Sequence, residues 1–287
     1  MLQLKTCALA ASLAFACIAQ LVQAQNTELL EGVIASRSEE DRARDAARHP
    51  LQTLTLFQVE PGMTVAEGLP GGGWYTRILA NYLGSDGAIY GVNYVDQMWS
   101  MFSFATAEWA AGRIAGTAKF PDKVAEFTDN GINARGFTFN TVPPEIVGTV
   151  DRVLLIRALH NLNRFESQAG TRTEALQAVA SMLKEDGLVG VVQHRAPESA
   201  RDDWADGSRG YLKQSAVIAL FEEAGFQLVA KSEINANPKD RPGAEDMVWR
   251  LPPSLRTSKD DAEKRAAMIA IGESDRMTLL FRKLPRG

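Results

Sequence analysis

Short apolar segments alternate with amphipathic segments along the chain from Met63 onward. Two of the apolar segments, Val153–Ile156 and Leu188–Val192, have no polar residues at alternate positions, as expected for strands buried on both faces of a sheet. The alternation of strands with helices predicts an α/β domain in which crossover helices join parallel strands. We predict strands at Thr64–Glu67, Ala88–Asn93, Gly136–Asn140, Arg152–Arg157, Leu188–Gln193, Phe226–Ile234 and Arg276–Lys283.

Helical periodicity marks two segments between these strands, Trp74–Leu83 and Thr173–Leu183, where apolar side chains recur on one face. Residues 25–60 precede the sheet and are predicted to form a helical extension. A charged helix within residues 36–45, behind a serine cap, is ended by His49-Pro50, and a second helix at Leu51–Val59 stops at Pro61-Gly62.

Two other stretches are less regular. Residues 96–133 crowd four large aromatic side chains into a helical-looking segment, and we expect Trp99, Phe102, Phe104 and Trp109 to be core rather than a ligand cage. Residues 235–259 contain four prolines and predict a long irregular excursion before a last helix and strand. Loops of that length in compact domains are usually functional or disordered.

The first 24 residues have the composition of a secretory signal peptide. Lys5 precedes an apolar run at Cys7–Ala19, and Val22-Gln23-Ala24 fits a cleavage site that would leave Gln25 as the first mature residue. The run is shorter than the roughly 20 residues of a spanning helix. The alternatives are an uncleaved anchor and a lipoprotein acylated at Cys17.

We therefore divide the chain into a signal peptide at 1–24, a helical extension at 25–60 and an α/β domain at 61–287. The predicted location is outside the cytoplasm, in the periplasm if the source is a Gram-negative bacterium, with no stable membrane anchor after cleavage. Both cysteines lie in the predicted signal peptide, so the mature chain would contain no disulfide, thiol nucleophile or cysteine metal site. The formal net charge of −4 gives no basic surface of the kind that nucleic acid requires.

The most informative local sequence is Val65-Ala66-Glu67-Gly68-Leu69-Pro70-Gly71-Gly72-Gly73-Trp74, a strand that leads through a glycine turn into a helix. Glycine lets the backbone approach a ligand closely, and a helix N-terminus offers unpaired N–H donors to a carboxylate or phosphate. The turn is therefore a candidate site for an anionic end of a cofactor. A turn that needs glycine only for its own geometry is the alternative.

This segment resembles motif I of class I S-adenosylmethionine-dependent methyltransferases, in which an acidic residue closes the first strand and glycines follow. Glu67 matches the acid, Gly71 and Gly73 match two glycines, and Leu69 stands where a first glycine is usual. Later segments resemble the fourth, fifth and sixth strands of that family, with their flanking turns, at Val150–Ile156, Leu183–Val189 and Gly210–Phe226. The resemblance implies a Rossmann-like fold with a seven-stranded, mostly parallel sheet and helices on both faces.

The chain is also similar to a subgroup of exported methyltransferases whose activity is itself only predicted. It shares their Arg-Ser-x-x-Asp-Arg opening at Arg37–Arg42, Pro-Gly-Gly-Gly-Trp-Tyr-Thr at Pro70–Thr76, His160-Asn161 and Leu-Pro-Pro-Ser at Leu251–Ser254.

The resemblance implies a set of residues that bind S-adenosyl-L-methionine. Glu67 would organise the site near the ammonium of the cofactor, and Gly71, Gly72 and Gly73 would let its methionine moiety pass. The second strand of this fold usually ends in an acid that bonds the ribose hydroxyls. Asn93 occupies that position here, with Asp96 as a substitute if the loop bends back. The remaining members of the predicted set are Leu69, Asn140 for the adenine edge, and Arg157.

Two histidines, His160 and His194, follow the fourth and fifth strands and are candidate general bases. A structural histidine that bonds loop backbone is the alternative for each. Arg157, Arg195 and Arg209 could hold an anionic substrate, with surface solvation as the alternative for each. We predict no metal site, although His160, His194 and Asp202 or Asp203 are conceivable ligands.

The function predicted from these residues is methyl transfer from S-adenosylmethionine to an unidentified small molecule. Export separates such an enzyme from a cofactor that is made in the cytoplasm. The rivals are therefore a binding or accessory protein that keeps the fold without the cofactor, and an enzyme of another class with His160 as its base. The sequence leaves the acceptor and the oligomeric state open.

Overall fold

The structure, a computed structural model, describes residues 22–285. Most of the predicted signal peptide lies outside these residues, and its last three residues are part of a helix, α1, that includes residues 22–35. Among the described residues no helix combines the length and apolar character needed to cross a membrane.

Eight strands form one mixed sheet within the described residues, in the order β3-β2-β1-β4-β5-β8-β7, with β6 pairing only to β5. Strand β8 runs antiparallel to both of its neighbours, and the other pairs are parallel. The predicted α/β fold with a mostly parallel sheet is confirmed. The strands are β1 Thr64–Gly68, β2 Ala88–Asn93, β3 Asn133–Thr138, β4 Val150–Ile156, β5 Leu183–Ala196, β6 Leu212–Lys213, β7 Phe226–Ser232 and β8 Arg276–Lys283.

Helices cover both faces of this sheet and join its strands. Apolar side chains of β1, β4 and β5 point to both sides, where they belong to two separate buried clusters. The helices after α1 are α2 Glu39–Arg42, α3 Asp45–Arg48, α4 Pro50–Leu56, α5 Trp74–Leu83, α6 Ala107–Ala118, α7 Phe120–Ala125, α8 Leu159–Arg164, α9 Glu166–Ala169, α10 Thr171–Met182, α11 Gln214–Glu223 and α12 Ala262–Ile271.

The bounds of β1, β3, β4, β5 and β7 differ from the prediction, and two of the differences have a clear local cause. The third strand ends at Thr138 rather than Asn140, because the Thr138 hydroxyl donates to Asn140 Oδ1 and Thr141 Oγ1 accepts from the Thr138 N–H, which makes a turn. The predicted turn at 183–187 is instead the start of β5. Its pairing with β4 jumps from Val150–Leu183 to Arg152–Leu188, so the extra residues are taken up by an irregularity in the strand.

The helical extension is divided into short helices, as the His49-Pro50 pair predicts. The cap of the charged helix is Ser38, whose hydroxyl accepts from the Asp41 N–H, whereas Ser36 donates to the Val33 carbonyl of α1. The extension packs against the start of α5, where the Trp74 indole donates to the Asp41 carbonyl. It therefore lies beside the glycine turn that opens α5.

The excursion predicted at 235–259 is irregular, with two short 3-10 turns at Val248–Arg250 and Arg256–Ser258. Its anchor is the buried carboxylate of Asp240. This carboxylate accepts from Arg250 Nη2 at 2.6 Å, from the Tyr211 hydroxyl at 3.1 Å and from the Asp275 N–H at 3.0 Å. The excursion is thus fixed to the entrance of β8 and to the segment before β6.

Replacing Asp240 with alanine removes the nearer counter-charge of the Arg250 guanidinium, which is 5% exposed, and leaves only the more exposed Asp246 at 3.2 Å. Because weakening the pairing of a buried charge is costly, we expect the free energy of unfolding to fall by about 3 kcal/mol. Urea denaturation measures this change. The control is Arg201→Ala, which breaks an ion pair whose side chains are 83% and 66% exposed, and we expect it to leave the free energy of unfolding almost unchanged. Equal effects of the two substitutions would contradict this role for Asp240.

Candidate functional site

The carboxyl ends of four neighbouring parallel strands, β2, β1, β4 and β5, meet at one edge of the sheet. Open α/β sheets bind their ligands at this edge, where the strand order reverses. Here the chain passes from β1 outward to β2 and β3, and then returns to the other side of β1 with β4. The candidate site is therefore built around the end of β1.

Glu67 lies at this end of β1 and is only 4% exposed. Its Oε2 accepts a hydrogen bond of 2.6 Å from the Thr76 hydroxyl of α5. Burial raises the pKa of Glu67 to about 7, against the opposing influence of Thr76, Lys123 and Arg157. At neutral pH this carboxyl group is therefore close to half ionised, and a nearby cation would complete its ionisation.

The turn after β1 has three residues in the left-handed backbone region: Leu69 at φ 57°, Gly71 at φ 55° and Gly73 at φ 82°. Leu69 stands where motif I usually has a glycine, and its backbone has the left-handed conformation that glycine favours. That conformation costs a residue with a side chain roughly 1–2 kcal/mol. Gly72 has no atom within 4 Å of the place where a side chain would begin, so its backbone is open to a ligand.

A cavity of about 400 Å³ adjoins this turn, between the end of β2 and helices α6 and α7. Asn93 at the end of β2 lines it, but its Nδ2 donates to Thr117 Oγ1 of α6 at 2.9 Å. Lys123 of α7 donates to the Gly71 carbonyl at 2.5 Å. These hydrogen bonds join α6 to the end of β2 and α7 to the glycine turn, across the cavity. Its lining includes Pro70, Gly71, Asn93, Arg113, Lys119 and Lys123.

Asp96 and Asn140 do not line this cavity. Asp96 is exposed at the start of a 3-10 turn, Asp96–Met101, and Asn140 is exposed in the turn after β3. Gly71 and Asn93 thus meet at this cavity, whereas Asp96 and Asn140 lie outside it; Glu67 is buried and is not part of the lining.

Two further residues near the end of β1, Lys123 and Tyr94, were not predicted from the sequence. Lys123 is in a crossover helix far from any motif, and nothing in the sequence distinguished it. Tyr94 directly follows β2, and its hydroxyl donates to the Ala158 carbonyl beyond β4 at 3.0 Å. Because β1 lies between those two strands, the buried Tyr94 side chain crosses the end of β1.

The two predicted histidines do lie at the sheet edge and next to each other, with ring centroids 5.6 Å apart. His160 Nδ1 is 3.4 Å from Gln193 Oε1, and His194 Nδ1 is 2.6 Å from Ser274 Oγ. Burial lowers the pKa of His160 to about 4, and burial with the His160 ring and nearby arginines lowers that of His194 well below its ordinary value. Both rings are therefore neutral at physiological pH, and His160 is a weak base.

The three predicted anion-binding arginines have different surroundings. Arg195 forms ion pairs of 2.8 Å with both Asp275 and Glu233, and Arg209 lies 3.7 Å from Glu245. Arg157, at φ 58° directly after β4, makes no side-chain hydrogen bond or ion pair to the described residues. Arg157 is thus the one of the three whose guanidinium is not already engaged within residues 22–285.

A second cavity of about 550 Å³ opens beside α8 and is lined by five aromatic side chains together with polar and charged ones; we call it the aromatic cavity. Trp99 and Phe102 are buried, as predicted for core residues, whereas Phe104 is 53% exposed. One side of each faces the cavity, so these aromatics serve the core and a cavity wall at once. The lining also includes Trp109, Trp249, Arg164 and Arg256.

No group of three or more histidine, cysteine or acidic side chains that could hold a metal ion occurs within residues 22–285. Asp202 and Asp203, which the sequence offers as conceivable ligands beside the histidines, form ion pairs with Lys213 and Arg201 instead.

Solved structures resemble this architecture over most of their length. The [4+2]-cyclase SpnF matches with a TM-score of 0.52 and 12% identity, covering 93% of this chain and 96% of that chain. A chain from the complex of the Haloferax volcanii Trm112 methyltransferase activator with a candidate methyltransferase matches with a TM-score of 0.50 and 16% identity, covering 89% and 98%. A SAM-dependent methyltransferase from Aquifex aeolicus matches with a TM-score of 0.44 and 15% identity, covering 72% and 93%.

The chain therefore has a Rossmann-like α/β fold that it shares with SpnF and with the chain of the Haloferax volcanii complex. No family model and no curated protein sequence matches the chain. At these identities the likeness establishes the fold, and activity has to be argued from the site.

Two neighbouring glycines of the turn allow a test of its geometry. A methyl group at Gly73 would lie 2.7 Å from the Phe127 ring, on a left-handed backbone, so we expect Gly73→Ala to lower the free energy of unfolding by about 1–3 kcal/mol. Gly72→Ala, which meets no atom, should change it by less than about 0.5 kcal/mol. Urea denaturation measures both variants. Equal free energies of unfolding for the two variants would contradict the close approach of Gly73 to the Phe127 ring.

Proposed function

We propose that the protein binds S-adenosyl-L-methionine at the carboxyl edge of the sheet and transfers its methyl group to a small molecule. The observation that carries the proposal is the buried Glu67 carboxyl group beside the left-handed turn Gly71–Gly73, next to a cavity of about 400 Å³. The Haloferax volcanii complex, which has this fold, is described as containing a candidate methyltransferase.

The residues around the turn fit the functional groups of this cofactor. A carboxylate at Glu67 suits an ammonium group, and the open backbone of Gly72 leaves room for a close approach. Asn93 faces the cavity and can bond ribose hydroxyls in exchange for its bond to Thr117. When bound, the cofactor supplies a methyl group activated by a positively charged sulfur, and the protein contributes chiefly positioning.

The aromatic cavity beside α8 suits the methyl acceptor. Its walls present the faces of tryptophan and phenylalanine rings, and Arg164 and Arg256 stand at its polar part. Ligand pockets commonly combine apolar walls with a few polar groups that fix orientation. We propose a flat or apolar acceptor, with the buried neutral His160 behind Trp249 as a positioning residue, since its ring lies 5.9 Å from the indole.

A second candidate is a function of the same fold without methyl transfer. The Tyr94 side chain crosses the end of β1, and Lys123 bonds the glycine turn, so protein groups already occupy part of the expected cofactor path. A [4+2]-cyclase with this fold illustrates that the scaffold also serves other chemistry. This candidate predicts ligand binding in the aromatic cavity and none at Glu67.

Export of the protein is a further part of the proposal. It rests on the charged start, apolar run and small residues of the first 24 positions. An exported methyltransferase must obtain its cofactor outside the cytoplasm, so this part bears on the choice between the two candidates.

Calorimetric titration with S-adenosylmethionine and S-adenosylhomocysteine should detect binding. Because the pKa of Glu67 is about 7 and an ammonium ligand favours its ionised form, binding at pH 7 should release up to about half a proton. Affinity should therefore increase between pH 6 and pH 7.5. Titrations in buffers of different ionisation enthalpy measure the proton release.

Glu67→Gln keeps the shape of the side chain but removes its charge, so we expect it to weaken binding about tenfold or more. Glu145→Gln, at a 60% exposed position, is the control and should bind normally. Absence of binding by the wild-type protein at millimolar ligand would reject the methyltransferase proposal and favour the second candidate.

Mass spectrometry of protein recovered from an exported fraction tests the proposed processing. We expect the chain to begin at Gln25. A chain that begins at Met1 and stays in the cytoplasm would contradict export.

A further inference from the structure

Four arginines converge at the carboxyl edge of the sheet, on the side of β4 that faces β5. Arg44 and Arg48 come from the start and end of α3, Arg157 directly follows β4, and Arg276 begins β8. Arg276 pairs in register with His194 of β5. We call these four residues the arginine cluster.

Among the described residues, Glu273 is the one carboxylate that pairs with the cluster. Its oxygens lie 2.5 Å from Arg44 Nη2, 3.0 Å from Arg276 Nη1 and 3.4 Å from Arg48 Nε. Burial alone would raise the pKa of Glu273, but Arg276, Arg48 and Arg44 outweigh it and hold the pKa below its ordinary value. Glu273 is therefore ionised, and it still balances a single positive charge.

Several guanidinium nitrogens of the cluster are buried without a hydrogen-bond partner within the described residues. Two of them, Nη1 of Arg48 and Nε of Arg276, also take no part in an ion pair, and they belong to residues that are 2% and 3% exposed. Arg157 also makes no side-chain hydrogen bond or ion pair to those residues, but its nitrogens are not fully buried. Buried polar groups nearly always have partners, so the buried donors of Arg48 and Arg276 indicate a missing acceptor.

The cluster stays positively charged at neutral pH. Burial and neighbouring arginines lower the pKa of Arg48 to about 9 and that of Arg157 to about 10, which leaves both protonated. The Arg157 guanidinium lowers the pKa of Glu67 slightly, but burial keeps that pKa at about 7, so Glu67 is an incomplete counter-charge. Since an uncompensated buried charge is costly, an anion in this place would stabilise the folded protein.

A purely structural role explains part of the cluster. Arg44, Arg48 and Arg276 clamp the helical extension to β8 through Glu273, and Arg276 Nη2 also donates to the Ala47 carbonyl. Arg157 takes no part in this clamp, yet it adds a further positive charge. It is also only half-buried, and Arg44 is 28% exposed, so solvent reaches the edge of the cluster.

We propose that the arginine cluster binds the carboxylate or phosphate group of a small-molecule ligand, with Arg157 as the residue that directly faces it. Guanidinium groups bind both kinds of oxyanion through paired hydrogen bonds. The arginine cluster lies at the same sheet edge as Glu67. An anion could bind there whether or not S-adenosylmethionine is the cofactor, so this proposal goes beyond the proposed function. It also gives the charged residues of the extension a role in ligand binding.

Thermal unfolding of the protein without S-adenosylmethionine tests this proposal. The melting temperature in sodium phosphate and in sodium acetate is compared with that in sodium chloride at equal ionic strength. We expect a saturable rise in Tm with phosphate, acetate or both, beyond that with chloride. The two arms separate a tetrahedral oxyanion from a carboxylate. No anion-specific rise with either would overturn the proposal.

Arg157→Gln removes the unpaired charge. We expect this variant to melt at a higher temperature than the wild type in chloride, and to lose most of the anion-dependent rise. Arg195→Gln is the matched control, because Arg195 lies at the same sheet edge but is balanced by Asp275 and Glu233. It should melt at a lower temperature and keep the anion-dependent rise.

A full anion-dependent rise in Arg157→Gln would contradict the role of Arg157. If that variant fails to fold, the more exposed Arg44→Gln replaces it, with the same expected loss of the rise. Competition between S-adenosylhomocysteine and phosphate would identify the carboxylate of the cofactor as the anion, whereas independent binding would assign the site to another ligand. Both outcomes support an anion site. If calorimetry detects no cofactor binding, the anion-dependent rise in Tm still tests the arginine cluster separately.

Discussion

The parallel pairing of β1 with β2 on one side and β4 on the other determines where chemistry can occur in this protein. It brings the ends of these strands to one edge, together with that of β5. Groups that are distant in sequence become neighbours there: Glu67, Asn93, Arg157 and His194. The helices on both faces bury the sheet, so these polar groups are held in surroundings of low polarity, where each charge must find a partner.

That requirement explains the unusual ionisation of the site. Glu67 is buried with one hydroxyl donor, so its pKa is raised, while the histidines remain neutral because burial disfavours their charged form. At the same edge of the sheet, three guanidinium groups share the single carboxylate of Glu273. The edge therefore offers a partly protonated carboxyl group to a cation and unpaired donors to an anion. A zwitterionic or anionic small molecule fits such a distribution better than an uncharged one.

The sequence predicted most of the fold, because the periodic elements are set by local patterns. The bounds of β2, β8 and α5 agree with the prediction to the residue. Glu67 and its glycines were found because they are contiguous. The Arg44–Glu273 pair was missed, since its members are 229 residues apart and only tertiary packing joins them. Likewise the bond from Asn93 to Thr117 depends on how α6 docks, which no local pattern encodes.

The central claim is that the carboxyl edge contains a cation-binding group and an anion-binding cluster side by side, open to one small ligand or to two. The decisive measurement is a crystal structure of the protein grown with S-adenosylhomocysteine and phosphate. The account predicts the amino group of the ligand at Glu67, its chain passing Gly72, and an oxyanion within hydrogen-bond distance of Arg157. Well-defined density for either ligand elsewhere, with the edge filled only by Tyr94 and Lys123, would contradict the account.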